Sequence, residues 1–191
     1  MQSAIPDRKL NIADRKINVG CGNNKIDGYI NIDISSFHHP DLVYDIREGL
    51  PFPDNCAREI LCFHTIEHIE EVFHSFILQE FFRVLVPEGL LLISYPEFIK
   101  VATNYINNHL GMRDFWKKTI YGLQRAKGDY HVSLMNSDIF AELMQSVGFV
   151  DVMYAEESKE EPYNTVILGH KGSKPNTYED LLNQNSRVII V

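Results

Sequence analysis

The sequence predicts an α/β protein built on a single doubly wound, mostly parallel seven-stranded sheet with an antiparallel C-terminal hairpin, and three observations carry that prediction. Short apolar runs at residues 16–19, 29–32, 42–44, 59–63 and 90–93 have the length and continuity of strands buried on both faces. Between the last two, Ile69, Val72, Phe73, Phe76, Ile77, Phe81, Val84 and Leu85 recur at helical spacing. The first run breaks at Gly20 and Gly22 and the second ends at Asp33. In such a sheet, that places a bare backbone loop and a carboxylate side by side at the carboxyl ends of neighbouring strands.

The elements follow in order. Residues 1–15 are polar, contain Pro6 and are expected to pack loosely. Only seven residues separate Gly22 from Ile30, whereas a crossover between parallel strands takes about a dozen or more. The first crossover helix must therefore be shortened to a turn or lost. Phe37, His38, His39 and Pro40 form a loop; with no acid or third histidine at ligand spacing, the paired histidines read as solvated and no metal is expected there. Residues 42–44 make a short third strand that delivers Asp45, and Pro51 and Pro53 mark an extended turn. His64 stands at the exit of the fourth strand, Pro87 and Gly89 stop the following helix, and residues 90–93 are the fifth strand.

Ser94, Tyr95, Pro96 and Glu97 turn the chain into a helix carrying Phe98, Val101, Ala102, Tyr105 and Ile106. Residues 111–132 break the alternation. They set Phe115, Trp116, Tyr121 and Tyr130 among Arg113, Lys117, Lys118, Arg125 and Lys127, which suits either a substrate-side lid or the core of a short helix. Ile139, Phe140, Leu143, Met144 and Val147 then share a helical face, capped by Asn136 or Ser137 and stopped by Gly148. Residues 149–155 and 165–169 read as the antiparallel hairpin at the sheet's edge. The tail, 171–191, is without period except for an apolar end at 188–191 that can add to a neighbouring strand.

At 191 residues, 45% hydrophobic and 23% charged, the chain suits one domain spanning 1–191 with a complete core. A net charge of -8 opposes binding to a phosphate backbone, so nucleic acid is a disfavoured partner. No apolar run is long enough to span a bilayer and the amino terminus has no apolar signal core, so a cytoplasmic location is expected. Cys21, Cys56 and Cys62 are odd in number and widely spaced, and read as reduced packing residues.

Four segments resemble the class I S-adenosylmethionine-dependent methyltransferases, in particular the small methyltransferase-11 type. They are Gly20, Cys21 and Gly22 with Asp33; Asp45 with the Leu50, Pro51, Phe52, Pro53, Asp54 run; His64 to Ile69; and the Arg83, Val84, Leu85, Val86, Pro87, Glu88, Gly89 turn into an apolar run. The likeness covers about 16–170. It departs from the pattern at Asn18, where an acid is usual, and at Asn24, where a third glycine often sits. The resemblance implies a Rossmann-like domain that takes S-adenosyl-L-methionine as cofactor. Asp33 would hold the ribose and Asp45 with the backbone of Ile46 the adenine; Asn18, Gly20, Cys21, Gly22, Ile34 and His64 would complete the cofactor site. A physical argument agrees. This cofactor has no phosphate, so it needs no long helix dipole of the kind that holds a dinucleotide, and a truncated first crossover tolerates it.

Methyl transfer from a sulfonium consists largely of aligning a nucleophile, but an alcohol acceptor profits from a base. His131, which follows the insert, is the first candidate, with His64 the second. Tyr95, Trp116, Tyr121, Tyr130 and His68 are the expected acceptor contacts, and the resemblance implies a small-molecule hydroxyl of a sugar, nucleotide sugar or glycan. Two readings compete. His64, Thr65, Ile66, Glu67 and His68 fit the H-x-x-E-H zinc signature of a peptidase, and the same fold could serve as a non-catalytic binding module.

Overall fold

The computed structural model describes residues 15–125, 128–159, 162–173 and 189–190. The expected loose segment at 1–15 apart from Arg15, Lys127 of the insert and most of the 171–191 tail lie outside the described residues. Strands β1 (Arg15–Val19), β2 (Ile30–Asp33), β3 (Leu42–Val43), β4 (Ala57–Phe63), β5 (Leu85–Pro96), β6 (Phe149–Glu156) and β7 (Asn164–Lys171) form the expected mixed sheet. A two-residue β8 (Ile189–Ile190) adds parallel to β6. The order is β3-β2-β1-β4-β5-β7-β6-β8. The first five strands run parallel, and β7 enters antiparallel between β5 and β6. The chain leaves β1 toward β2 on one side and β4 on the other, so the strand order reverses there and opens a crevice at the carboxyl edge.

Ile17, Val19, Ile32, Ile60, Cys62, Leu91 and Ile93 bury the sheet's faces. Helix α1 (His74–Val84) lays Ile77, Leu78, Phe81 and Val84 into that core, and α4 (Ser137–Val147) packs beside it through Phe140, Ala141 and Met144. Asn136 caps α4 by accepting the Ile139 N–H, and Gly148, at φ 121°, stops it. Helix α2 (Phe98–Ile106) and α3 (Arg113–Tyr121) pack against each other beyond the end of β5. Two boundaries differ from the sequence reading. The α1 helix begins only at His74 because residues 66–73 form two 3-10 turns, and β5 starts at Leu85 rather than Leu90, running through Pro87 and Gly89 with a register shift against β4. Cys21, Cys56 and Cys62 are buried free thiols, and burial raises all three above the ordinary thiol range.

The first crossover carries no helix. Residues 20–29 alone join β1 to β2, and polar side chains do what an amphipathic helix would otherwise do by packing. Asn31, 5% exposed, accepts from Asn18 Nδ2 at 3.0 Å and from the Ile26 N–H at 2.9 Å, and donates to the carbonyls of Ile26 and Tyr29 and to Asp41. Asn18 also donates to the Asn24 carbonyl at 2.9 Å, and Asp41 accepts the Asn31 N–H. Truncating Asn31 leaves several of these groups buried and unpaired. Asn31→Ala is expected to cost about 3 kcal/mol in urea unfolding; a loss below about 1 kcal/mol would show that the loop closes without this network.

Candidate active site

The glycine loop is held shut from below by Asp33. Its Oδ2 accepts the Gly22 N–H at 2.8 Å and its Oδ1 the Ser35 N–H at 2.7 Å, while the Cys21 N–H bonds the Ile32 carbonyl. Gly22 is open: a Cβ added there meets nothing within 4 Å. Gly20 is not. At φ +66° its missing Cβ is the space taken by Thr65, whose Oγ1 would lie 2.0 Å from it. Thr65 Oγ1 bonds the Phe63 carbonyl at 3.0 Å and reaches those of Val19 and Gly20. Gly20 is therefore glycine so that the turn after β4 can lie against the loop after β1. Asn18 sits buried beneath the loop, Cys21 is packed, and Ile34 stands 59% exposed beside Asp33.

Asp45 caps the 3-10 turn Ile46–Glu48 by accepting the Arg47 N–H at 3.0 Å, and Arg47 grips the same carboxylate through Nε and Nη2. This bidentate pair holds the Asp45 carboxyl below its ordinary value. Arg47 reaches on to Glu70 at 3.2 Å, so the charge of Asp45 is already answered from within the chain. Ile46 is buried under the turn.

His64 leaves β4 at φ 49° with its ring between two carboxylates: Nε2 is 3.2 Å from Glu157 and Nδ1 3.5 Å from Glu67. Burial opposes its charge, but Glu157 and Glu67 outweigh that and push its pKa up to about 10. The raised pKa favours its imidazolium form, which weighs against the expected role of His64 as a base. Ser94 donates to the other oxygen of Glu157.

Beyond it, the 3-10 turn Ile66–His68 is latched to the segment after the insert. The Glu67 carbonyl accepts the N–H groups of Val132 and Ser133, and His68 Nδ1 donates to the Tyr130 carbonyl at 2.9 Å. Buried His74 fixes the turn from behind, its Nε2 donating to the carbonyls of Ile66 and Ile69. The His68 and His131 rings meet edge-on at 4.8 Å, and burial lowers the His131 pKa below its ordinary 6.5. His131 also lines a groove of about 410 Å³ between α2 and α3, with Phe98, Ala102, Tyr105, Ile106, Ile120 and Tyr121 among its walls.

The insert divides between wall and core. Tyr121 is exposed in the groove, and Tyr130 is half-exposed and contributes its carbonyl to His68. Trp116 is buried against Phe115 and Tyr163 with its indole N–H on the His109 carbonyl, so it stabilises α3 instead of facing an acceptor. Tyr95 is likewise a correction: it is wholly enclosed, with its hydroxyl on Ser137. The sequence reading missed Glu157, which no motif signals, and the structural weight of Glu67, visible only as one letter of H-x-x-E-H. That motif does not assemble as a peptidase helix, because His64 ends a strand and is committed to Glu157.

The sheet order, with β7 antiparallel between β5 and β6, defines the class I S-adenosylmethionine-dependent methyltransferase fold. Similar solved structures include a SAM-dependent methyltransferase from Archaeoglobus fulgidus (15% identity, TM-score 0.59, 83% of this chain and 86% of that one). A Thermotoga maritima SAM-dependent methyltransferase, described as a possible histamine N-methyltransferase, aligns at 20% identity and TM-score 0.56 over 82% and 81% of the two chains. Phosphoethanolamine N-methyltransferase 2 of Haemonchus contortus, in complex with S-adenosyl-L-methionine, aligns at 12% identity and TM-score 0.53 over 86% and 50%. The family described as a methyltransferase domain matches residues 34–93, which run from the end of β2 into β5 and include the Asp45, His64 and Arg83 segments. No curated protein matches the chain.

Two outcomes test this geometry. The His64 pKa is raised on folding, so the stability it contributes is complete below about 6.5 and is lost as pH rises through about 10. The stability difference between wild type and Glu157→Gln, read from urea midpoints, is therefore expected to shrink steadily between pH 7 and 10; a difference constant with pH would mean that the ring is uncharged. Gly20→Ala is expected to lose about 2 kcal/mol or more, and only about 1 kcal/mol, the positive-φ part, when introduced into a Thr65→Gly background. Equal losses in both backgrounds would show that Thr65 is not what Gly20 accommodates.

Proposed function

We propose that this chain transfers the methyl group of S-adenosyl-L-methionine to a hydroxyl of a small molecule held between α2 and α3, with a sugar, nucleotide sugar or glycan as the acceptor class. The observation that carries the reading is the unobstructed space at Gly22, whose N–H Asp33 holds, together with an aromatic groove between α2 and α3 lined by His131, whose pKa burial lowers. The residues present fit an adenosine over Gly22, Asp33 and Ile34. Each Asp33 oxygen accepts one backbone N–H and keeps a further lone-pair direction for a ribose hydroxyl, and exposed Ile34 offers an apolar face to a base. They do not fit a ligand beneath Gly20, where Thr65 stands. With Asp45 engaged by Arg47, the adenine contact there rests on the backbone at Ile46.

The cofactor supplies an electrophilic methyl on a positive sulfur, and the chain does the rest. Glu67, His64 and Glu157 together carry one net negative charge, which favours a sulfonium. Tyr105 and Tyr121 present flat faces and hydroxyls suited to a sugar ring. His131, kept neutral by burial, takes the hydroxyl proton at its free ring nitrogen.

Calorimetry with S-adenosylhomocysteine is the direct test: wild type is expected to bind, and Asp33→Ala, studied at a temperature where it is folded, to bind at least about tenfold more weakly. Labelled methyl transfer to hydroxylated acceptors should fall about 10²–10⁴-fold in His131→Ala. Because His131 must be neutral to act and its pKa is lowered, the acid limb of the rate should lie below 6.5. The engagement of Asp33, Asp45 and Gly20 within the chain favours one other reading, a non-catalytic binding module; no binding of S-adenosylhomocysteine to wild type would select it.

A further inference from the structure

Sharing Phe98, Ile120, His131 and Leu134 with the groove is a separate pit of about 10 Å³, the size of one water or ion, also lined by Glu67, Thr119 and Ser133. Glu67 is 2% exposed, and its Oε2 is buried with no hydrogen-bond partner among the described residues. A buried carboxylate oxygen left bare is costly, and water or a cation is what ordinarily relieves it. Glu67, His68 and His131 each offer one ligand atom, and the three atoms lie within 4.8 Å of one another; a zinc ion with bonds of about 2.0–2.1 Å holds its ligands about 3.3 Å apart, so modest side-chain rotation closes the set. His68 is oriented for it: it gives its Nδ1–H to the Tyr130 carbonyl, which leaves its Nε2 with the lone pair, the arrangement that orients a metal-bound imidazole.

We infer that Glu67, His68 and His131 form a site for a first-row divalent cation, with zinc the best match to two imidazoles and one carboxylate and the remaining coordination positions open toward the groove. This reverses the sequence expectation of no metal, and it uses a different donor set from the H-x-x-E-H pair, since His64 is committed to Glu157. The site is independent of the methyl-transfer reading. An ion there occupies the lone pair that His131 needs to accept a proton, so zinc is expected to suppress any methyl transfer that depends on His131.

The test is equilibrium binding of zinc chloride to the chelator-treated full chain, measured by dialysis and elemental analysis, with X-ray absorption on the loaded protein. One equivalent is expected, with two imidazoles and oxygen in the first shell and no sulfur. Glu67→Gln and His131→Ala, checked for folding by circular dichroism, are each expected to weaken binding by more than about tenfold, and His39→Asn, at an exposed histidine of the loop after β2, to leave it within about threefold. If a variant fails to fold, the wild-type absorption spectrum still decides. No binding at 100-fold molar excess of zinc, sulfur in the shell, binding indifferent to Glu67 and His131, or binding lost with His39 would each overturn the assignment.

Discussion

The arrangement depends on one buried carboxylate. Glu67 lies in a 3-10 turn at the exit of β4, and its backbone carbonyl accepts two N–H groups from the far side of the insert. Its side chain faces His64 on one side and the groove floor on the other. A carboxylate removed from water at this depth is tolerated only where positive charge or hydrogen-bond donors meet it. The ring of His64 answers one oxygen, at 3.5 Å, and the other has no hydrogen-bond partner among the described residues. The turn is thereby fixed in place while one carboxylate oxygen is left unanswered among the described residues.

The same edge shows how a doubly wound sheet dispenses with its first helix. Ten residues cannot both cross over and form a packed helix. Asn18, Asn31 and Asp41 instead close the loop with hydrogen bonds that reach backbone groups on both sides of the gap. Position 18 therefore holds an amide, which can donate to Asn24 and Asn31 together, where a carboxylate could do neither. The departure from the family pattern at Asn18 thus goes with a crossover closed by hydrogen bonds. With the loop held this way, Gly20 turns toward Thr65, and Gly22 is left facing open space.

What could be read from the sequence was what depends on local pattern. The strands, the β6–β7 hairpin and the α4 cap follow from apolar runs, a charged turn and Asn136, and the structure has them within a few residues. Helix α1 was read too long because Ile69, Val72 and Phe73 keep helical spacing through two 3-10 turns, whose polar anchors, His74 and Ser133, are distant or ambiguous in sequence. Residue type puts Tyr95 and Trp116 on the acceptor surface, but burial is decided by partners at Ser137, Tyr163 and His109 that no spacing announces. Glu157 could not be found at all: it meets His64 only because β7 inserts between β5 and β6 and carries the intervening loop back over the end of β4.

Charge at the end of β4 then explains why two histidines close together behave oppositely. His64 has a carboxylate at each ring nitrogen, so its positive form is held in place. For His131, burial, with His68 and His64 nearby, outweighs the pull of Glu67 and the Thr119 backbone toward the charged form, so its pKa falls below the ordinary value. The pair separates a fixed positive charge from a free lone pair within one small cluster. A lone pair kept neutral next to an unanswered carboxylate oxygen can take up a proton or a cation, and which of them it meets is decided by what enters the groove between α2 and α3.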